Sequence, residues 1–568
     1  MFANGRIWLA YLIVFVASTC GLVIELVAGR IMAPYIGVSL YTWTSIIGVV
    51  LAGISLGNYL GGVVADRRGS RGVLGLIFLA GSLASAGILA MVAVVNSAGI
   101  DLPLMPKIVF FTTVIFFLPS LILGMVSPVV IKLALADLKR AGNTVGSIYA
   151  VSTVGSIFGT FLTGFWLISW FGTRAVVAGV ALVLLAMGVV IGEVWRPFGR
   201  GAALAGTLLL YGAALWINYS GLFQWLAPER APDLALVAAP LAVILPVLVV
   251  LGCLFWEGIA VAAVNLSVVG LALVWLGWSN GNFLAPCQVE SNYYCIRTSE
   301  TSISGSQVRA LVLDHLVHSY VDLNDPKVLG YGYERIYAEL TQYYVADHSD
   351  LDTLFIGGGG YTFPKYVEAM YPRSTVDVME IDPAVTKAAH DYLSLPDDTR
   401  IRSFNEDARS FLLNWQDPKQ YDVVYGDAFN DLSVPYHLTT VEFDRLVAAR
   451  LKPGGMYVIN VIDKYEGGEF MKAFVNSLRE VFPHVYLMAQ GEAWRWAPAF
   501  TYILMASDRP LDVADFQARA VPGGRPITAV MPDDQLEEYR HSGRAITLTD
   551  DFCPVDQLIA PLFVERGI

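Results

Sequence analysis

The chain has 568 residues, of which 55% are hydrophobic and only 15% charged, and a formal net charge of −12. An ordinary soluble protein carries about 25% charged residues, so the deficit excludes a wholly soluble chain of average make-up. The acidic balance argues against nonspecific nucleic-acid binding and suits a cationic partner.

The apolar excess is concentrated before Asn280. A helix needs about 20 apolar residues to cross a bilayer. Spans are read near 7–29, 43–65, 73–95, 108–131, 145–169, 174–194, 202–226, 234–255 and 259–278. The first is part of a multispan array rather than a cleaved signal peptide. The loop after the second span carries Arg67, Arg68 and Arg71. The loop after the fourth carries Lys132, Lys139 and Arg140, and the loop after the sixth carries Arg196 and Arg200. Basic loops stay inside, so the N-terminus is read as inside. Nine such spans put the C-terminal half outside, and the stretch between Arg230 and Arg297 holds no Lys or Arg to oppose this. The polar-interrupted segment 202–226 is the candidate for an interfacial or re-entrant element.

Gly62-Val-Val-Ala-Asp66-Arg67-Arg68-Gly69-Ser-Arg71 resembles the loop motif of the major facilitator superfamily. The resemblance implies a helical bundle over roughly the first six spans and does not imply transport. The competing reading is a turn whose Asp66 caps a helix while its arginines meet lipid phosphates. Glu25 lies deep in the first span, with Arg30 near its end. Intramembrane carboxylates face a polar cavity or a partner, so Glu25 is either a cation contact or half of a Glu–Arg pair. Gly155, Gly159 and Gly164 give the fifth span a small face suited to close helix packing.

After Asn280 the pattern changes to a soluble one. Tyr293–Arg297 and Val308–Asp314 read as short paired strands. Strands at Leu354–Ile356, Val376–Ile381, Ile401–Phe404, Tyr421–Tyr425 and Met456–Val461 then alternate with helices. The helices are placed at Phe363–Met370, Pro383–His390, Ala408–Asn414 and Thr440–Leu451. Such alternation predicts a parallel sheet covered on both faces, with ligands at the carboxyl ends of its strands. The expected fold is therefore a multispan α-helical membrane domain followed by an α/β Rossmann-like transferase domain. The expected boundaries are 1–279 for the membrane domain, 280–350 for a small N-terminal β region and 351–568 for the Rossmann-like domain.

Three acids occupy strand ends. Glu380 follows the glycine turn Gly357-Gly358-Gly359-Gly360 by about 20 residues, the spacing at which an acid accepts both ribose hydroxyls. Asp407 follows the third strand, where side chains edge an adenine; as a single residue it reads equally as a helix cap. Asp427 follows the fourth, where a reacting group would sit. The turn lacks the G-x-G-x-x-G spacing and a P-loop lysine, so nucleoside-triphosphate chemistry is not expected. Dinucleotide and S-adenosylmethionine enzymes share this arrangement, and spacing leaves that choice open. No metal-ligand spacing is present. Cys287 and Cys295 stand eight apart, either as a disulfide or as two free thiols.

The soluble half, from about Ser291 to Phe563, resembles the spermidine synthase family of aminopropyltransferases. The matching motifs are Leu313-Asp314 with Val317-His318, Gly357-Gly358-Gly359, Glu380-Ile-Asp382, Asp407-Ala408, and Tyr421-Asp-Val-Val-Tyr-Gly-Asp427. The Leu451-Lys-Pro-Gly-Gly455 turn is common to S-adenosylmethionine enzymes. The whole chain resembles bacterial proteins in which a facilitator-like membrane domain precedes such an enzyme. The resemblance implies decarboxylated S-adenosylmethionine as co-substrate, no metal, and a diamine such as putrescine as acceptor. It implies that Gly357, Gly358 and Gly359 pack on the nucleoside, Glu380 holds the ribose, and Asp407 and Ala408 contact the adenine. It implies Asp427 as catalytic base, His318 and Asp431 on the substrate side, and a homodimer.

Two departures bear on amine recognition. The family's Asp after the three glycines is Gly360 here. Its Asp-Ser-Ser-Asp segment is Asp427-Ala-Phe-Asn430-Asp431. Tyr436, His437, Trp494 and Trp496 are candidates for an amine pocket through cation–π contacts, with core packing as the plainer role for some. Asp550-Asp551 is read as a solvated turn. A methyltransferase on the same fold, and a polyamine transporter or sensor with a ligand-binding soluble half, are the alternatives. The expected location is a bacterial inner membrane, with the catalytic half in the cytoplasm where the nucleoside donor is made.

Overall fold

A computed structural model describes residues 7–97, 102–135, 141–192, 287–303, 305–347, 350–428 and 434–565. The chain divides into two compact units, 1–286 and 287–568. The spans read at 202–226, 234–255 and 259–278, and Asp431, lie outside the described residues.

In the first unit, helices α1 (Ile7–Ile36), α2 (Leu40–Arg68) and α3 (Arg71–Ser97) match the first three spans. The fourth span is two helices, α4 (Leu104–Gly124) and α5 (Val126–Ala134), meeting at Met125. The fifth and sixth are α6 (Ala141–Leu162) and α7 (Ile168–Gly192), joined by a π-helical turn at Thr163–Leu167. Gly172 breaks the last helix with a φ of 74°. Among the described residues, five helical stretches are long and apolar enough to cross a membrane.

Small residues let these helices approach. A Cβ on Gly155 would lie 2.4 Å from the Phe15 carbonyl, and one on Gly159 would lie 2.7 Å from that of Thr19. The α1–α6 seam is closed by a 2.6 Å hydrogen bond between the Ser18 and Ser152 hydroxyls. Gly164 meets nothing, so two of the three anticipated glycines serve the packing. The α2–α4 seam uses Gly53, Gly57, Gly61 and Gly124 in the same way. The motif loop is also built differently from a simple cap. Ser70 caps α3 through the Val73 N–H, while Asp66 accepts from Lys132 at 2.7 Å.

The second unit opens with an antiparallel sheet of β1 (Val289–Glu290), β2 (Cys295–Ile303), β3 (Ser306–Leu313) and β4 (Leu316–Val321). Cys287 and Cys295 are joined in a disulfide at the start of this sheet. Helix α8 (Gly332–Val345), which the sequence pattern did not reveal, links it to the larger sheet. There follow β5 (Asp352–Ile356), α9 (Thr362–Met370), β6 (Thr375–Met379), α10 (Pro383–Tyr392), β7 (Arg402–Phe404), α11 (Ala408–Asn414) and β8 (Tyr421–Gly426). Then come α12 (Val441–Ala448), β9 (Leu451–Asp463), α13 (Phe470–Arg479), β10 (His484–Gln490) and β11 (Phe500–Ser507). The unit ends with α14 (Val513–Arg519), β12 (Thr528–Val530), α15 (Asp533–His541) and α16 (Val555–Glu565).

The large sheet runs β12-β10-β11-β9-β8-β5-β6-β7. From β9 to β7 the neighbours are parallel, and β11, β10 and β12 add antiparallel strands. The anticipated Rossmann-like order is therefore present, with the strand order reversing between β5 and β8. Every residue of β8 is buried, as a central parallel strand covered on both faces requires. Phe355, Tyr425 and Val458, from three adjacent strands, share one core with Tyr337 of α8. The Leu451–Gly455 turn is an irregular start to β9, where Tyr421 pairs with Leu451 and Val423 with Met456.

Candidate active site

The crevice at a strand-order reversal is where an open α/β sheet presents its loops to a ligand. Here it lies beyond the carboxyl ends of β5 and β8. Four consecutive glycines leave β5, and three of them are confined for different reasons. Gly357 has a φ of 97°, and a Cβ there would lie 2.5 Å from the Asp427 carbonyl. A Cβ on Gly358 would lie 2.8 Å from the Tyr361 ring, and one on Gly360 would lie 2.2 Å from Ser319 Oγ. The position where the resembling family carries Asp is thus walled off by β4. Tyr361 is buried in a left-handed conformation, with its hydroxyl bonded to Ser403 Oγ at 3.0 Å and Thr386 Oγ1 at 3.1 Å.

Glu380 stands just past β6 and points back to this turn. Its carboxylate accepts the N–H groups of Gly358 at 2.9 Å, Gly359 at 3.2 Å and Asp382 at 3.0 Å. Burial raises its pKa, and the three backbone donors oppose that shift. Asp382 caps α10 through the Ala384 N–H and also accepts from Ser291 of the small sheet. Glu380 and the glycines expected to hold a nucleoside therefore form one bonded unit.

Asp407 is a helix cap, accepting the Ser410 N–H at 2.9 Å. Its second oxygen meets His437 Nε2 at 2.7 Å. His437 therefore belongs beside Asp407 and Ala408, the pair expected from the sequence to border an adenine. Arg409 ties this corner to Asp550 at 2.7 Å and donates to the His437 carbonyl at 3.1 Å. Asp550 is thus an anchor of the corner, in place of the solvated turn expected for it.

Asp427 follows β8 and takes two donors that the sequence pattern did not single out. Tyr333 of α8 donates its hydroxyl to Oδ2 at 3.1 Å, and Asn460 of β9 donates to Oδ1 at 2.7 Å. Burial raises the Asp427 pKa, and these two hydrogen bonds pull it down. The carboxylate borders a pocket of about 140 Å³ shared with the four glycines, His318, Ser319, Tyr331, Glu334 and Phe363. Burial, and then His315, lower the His318 pKa to about 4, so its ring is neutral at physiological pH. Neither His318 Nε2 nor Ser319 Oγ has a hydrogen-bond partner among the described residues.

The anticipated aromatic cage is not assembled. Trp494 is buried in a turn after β10, outside the pocket lining. Tyr436 is 59% exposed and stacks edge-on against His437, while Trp496 is 68% exposed beside Phe500. The pocket takes its aromatic walls from Tyr331, Tyr333, Phe355 and Phe363 instead. The signal for Tyr333 and Glu334 was weak in the sequence, because α8 lies between two regions of β pattern. Asn460 was hidden among the buried residues of a central strand.

No protein-family model matches the chain. It is 30% identical over 139 residues to a probable polyamine aminopropyl transferase of Bifidobacterium longum, covering 24% of this chain and 30% of that protein. It is 34% identical over 108 residues to a polyamine aminopropyltransferase of Vibrio vulnificus, covering 19% and 36%. It is 34% identical over 134 residues to an N-terminal histidine N-methyltransferase of Emericella nidulans, covering 22% and 23%. The chain spans about a third or less of the length of these relatives. Among solved structures, a probable spermidine synthase from Corynebacterium glutamicum is 24% identical with a TM-score of 0.41, covering 47% of this chain and 96% of that one.

The packing of Ser319 on Gly360 generates a prediction. Gly360→Ala forces atoms into a filled space, an error that costs about 1–3 kcal/mol. Thermal unfolding of the detergent-purified protein is expected to start several degrees lower. Adding Ser319→Ala, which deletes the nearest atom, is expected to recover part of the loss. An unchanged melting curve for Gly360→Ala would show that the turn has room for a side chain.

Proposed function

We propose that the soluble unit transfers an aminopropyl group from decarboxylated S-adenosylmethionine to a diamine such as putrescine. The observation that carries this reading is the setting of Asp427, a desolvated carboxylate facing a nucleoside-type cradle made by Glu380 and the glycine turn. The two aminopropyltransferase relatives support it.

The chemistry follows from the residues. A primary amine is mostly protonated near neutral pH and then has no lone pair with which to attack. Asp427 orients the ammonium and takes its proton. The nitrogen forms a bond to the carbon beside the sulfonium as the carbon–sulfur bond breaks. The bonding pair goes to sulfur, leaving neutral methylthioadenosine and a lengthened polyamine. Tyr333 and Asn460 fix the carboxylate and favour its ionised form against the effect of burial. Glu380 holds the ribose and Asp407 with Ala408 borders the adenine. The substrate-side roles of His318 and Asp431 remain part of this proposal, as does a homodimer.

The Emericella relative favours a second reading, a methyltransferase on the same cradle. Product analysis separates the two, because that reaction releases S-adenosylhomocysteine. Detergent-purified protein given decarboxylated S-adenosylmethionine and diamines is expected to yield methylthioadenosine and a new polyamine by mass spectrometry. Asp427→Asn is expected to lose roughly 10²–10⁴ of the rate, the worth of a placed general base. The base must be deprotonated, and its pKa is raised, so kcat/KM falls on the acid side at a higher pH than for an ordinary carboxylate. Tyr333→Phe removes a bond to the ionised form and moves that acid limb to higher pH still. No product with any amine, or an unaffected Asp427→Asn, would remove this reading.

We place the chain in a bacterial inner membrane, with its soluble unit facing the cytoplasm, the source of the donor. The Cys287–Cys295 disulfide favours the opposite face, since disulfides persist in oxidising compartments. An odd number of spans from an inward N-terminus points the same way. Alkylation of denatured protein from cells lysed into a membrane-permeant thiol reagent decides between them. The cytoplasmic placement predicts that reducing conditions hold this pair open in cells, so that Cys287 and Cys295 are modified without prior reduction. Modification only after reduction would move the soluble unit, and the delivery of its donor, to the far side.

A further inference from the structure

The active-site pocket contains a second carboxyl that the proposed reaction does not use. Glu334, at the third position of α8, is 2% exposed and borders the same pocket as Asp427. The two carboxyls interact unfavourably at this separation. Among the described lining residues there is no Lys or Arg, and the one histidine, His318, is held neutral. The glycine turn contributes no side chain. A pocket with two carboxyls and no Lys or Arg among its described lining residues is complementary to a ligand carrying two positive charges.

We infer that Glu334 binds the far ammonium of the acceptor while Asp427 takes the near, attacking nitrogen, so that the pocket selects diamines over monoamines. This rests on the aminopropyl-transfer reading for the role of Asp427. The unpartnered Ser319 Oγ and His318 Nε2 on the facing strand supply neutral acceptors for the remaining ammonium hydrogens.

Glu334 also has a structural duty, and it sets the plainer alternative. Its Oε2 accepts the Tyr331 N–H at 3.0 Å, forming a capping box at the start of α8. The backbone of Gly330 also donates to this carboxyl, and Gln keeps an acceptor oxygen for the Tyr331 N–H. Glu334→Gln therefore keeps the cap and deletes the charge. The charged and titratable groups around Glu334 are Asp427 from β8, Arg335 and the tyrosines 331, 333 and 337 from α8 and its approach, and Lys365 from α9. Burial, with Asp427 adding to it, raises the Glu334 pKa to about 8. Near pH 7 the carboxyl is then largely protonated in the free protein. It ionises when an ammonium docks, so diamine binding releases a proton.

Calorimetric titration of the full-length protein, with methylthioadenosine present, tests this without requiring turnover. The probes are 1,4-diaminobutane and butylamine, in two pH 7 buffers of different ionisation enthalpy. The wild type is expected to bind the diamine at least tenfold more tightly than butylamine, with proton release. Glu334→Gln is expected to weaken the diamine at least tenfold, to abolish most of the proton release, and to leave butylamine and methylthioadenosine binding within about twofold. Equal diamine affinity in Glu334→Gln would reduce Glu334 to a cap and overturn the inference, as would a wild type that does not distinguish the two amines. Glu334-dependent diamine binding without turnover would keep the inference and count against the transferase reading alone.

Discussion

The Glu380 carboxylate is the constraint on which the site depends. It gathers N–H groups from the turn after β5 and from the loop after β6. Without it the buried Asp382 N–H would lose its partner, at about 1–3 kcal/mol, and the part-buried donors of Gly358 and Gly359 would lose theirs. The bonds bring the glycine turn close to the sheet, and Gly357 then packs on the Asp427 backbone at the end of β8. Three strand ends are thereby held in one geometry, with the Glu380 carboxylate on one side and that of Asp427 on the other. Asp382 extends the arrangement to the small sheet through Ser291. The wall from α8 is tied to Asp427 through Tyr333, and β4 packs Ser319 against Gly360.

Charge is sorted along the large sheet. At the amino ends of the strands, acids are matched to cations. Lys452 bridges Asp352 and Asp422 at 2.6 and 2.8 Å, and Asp377 takes Arg402 at 2.6 Å and Lys419 at 2.9 Å. These cations hold Asp352 and Asp377 below the ordinary carboxylate range, once burial is outweighed. At the carboxyl ends, Glu380 and Asp427 have no Lys or Arg partner among the described residues. Glu380, Asp427 and Glu334 are raised by burial instead. One end of the sheet is an ion-pair clamp that supports the fold. The other keeps carboxyls poorly compensated, which is the state suited to a cationic ligand or a proton transfer.

The parallel strands and their acids were legible because continuous buried runs ending in Asp or Glu are a local signal. Leu354–Ile356 and Tyr421–Tyr425 could be placed from the sequence alone, and with them Glu380, Asp407 and Asp427. The antiparallel extension β10–β12 was not legible, since its pairing depends on contacts between distant segments. Tyr333, Asn460 and Glu334 were missed because their meaning comes from what faces them across the pocket. His437 was read as an amine contact, yet its partner is Asp407. Trp494 had the right residue type, but tertiary packing turned it away from the pocket. In the membrane unit, the hydropathy run at 108–131 concealed a break at Met125, and only Gly155 and Gly159 of the anticipated stripe proved to be packing positions.

We propose that Glu380 and the glycine turn form a cradle for a methylthioadenosine-type nucleoside. It is tested most directly by calorimetric titration of methylthioadenosine into the wild type and Glu380→Gln. A glutamine offers one acceptor oxygen where three N–H groups and the ribose hydroxyls need two. Saturable binding by the wild type and at least a tenfold loss in the variant are expected. No binding by the wild type, or equal binding by Glu380→Gln, would contradict it.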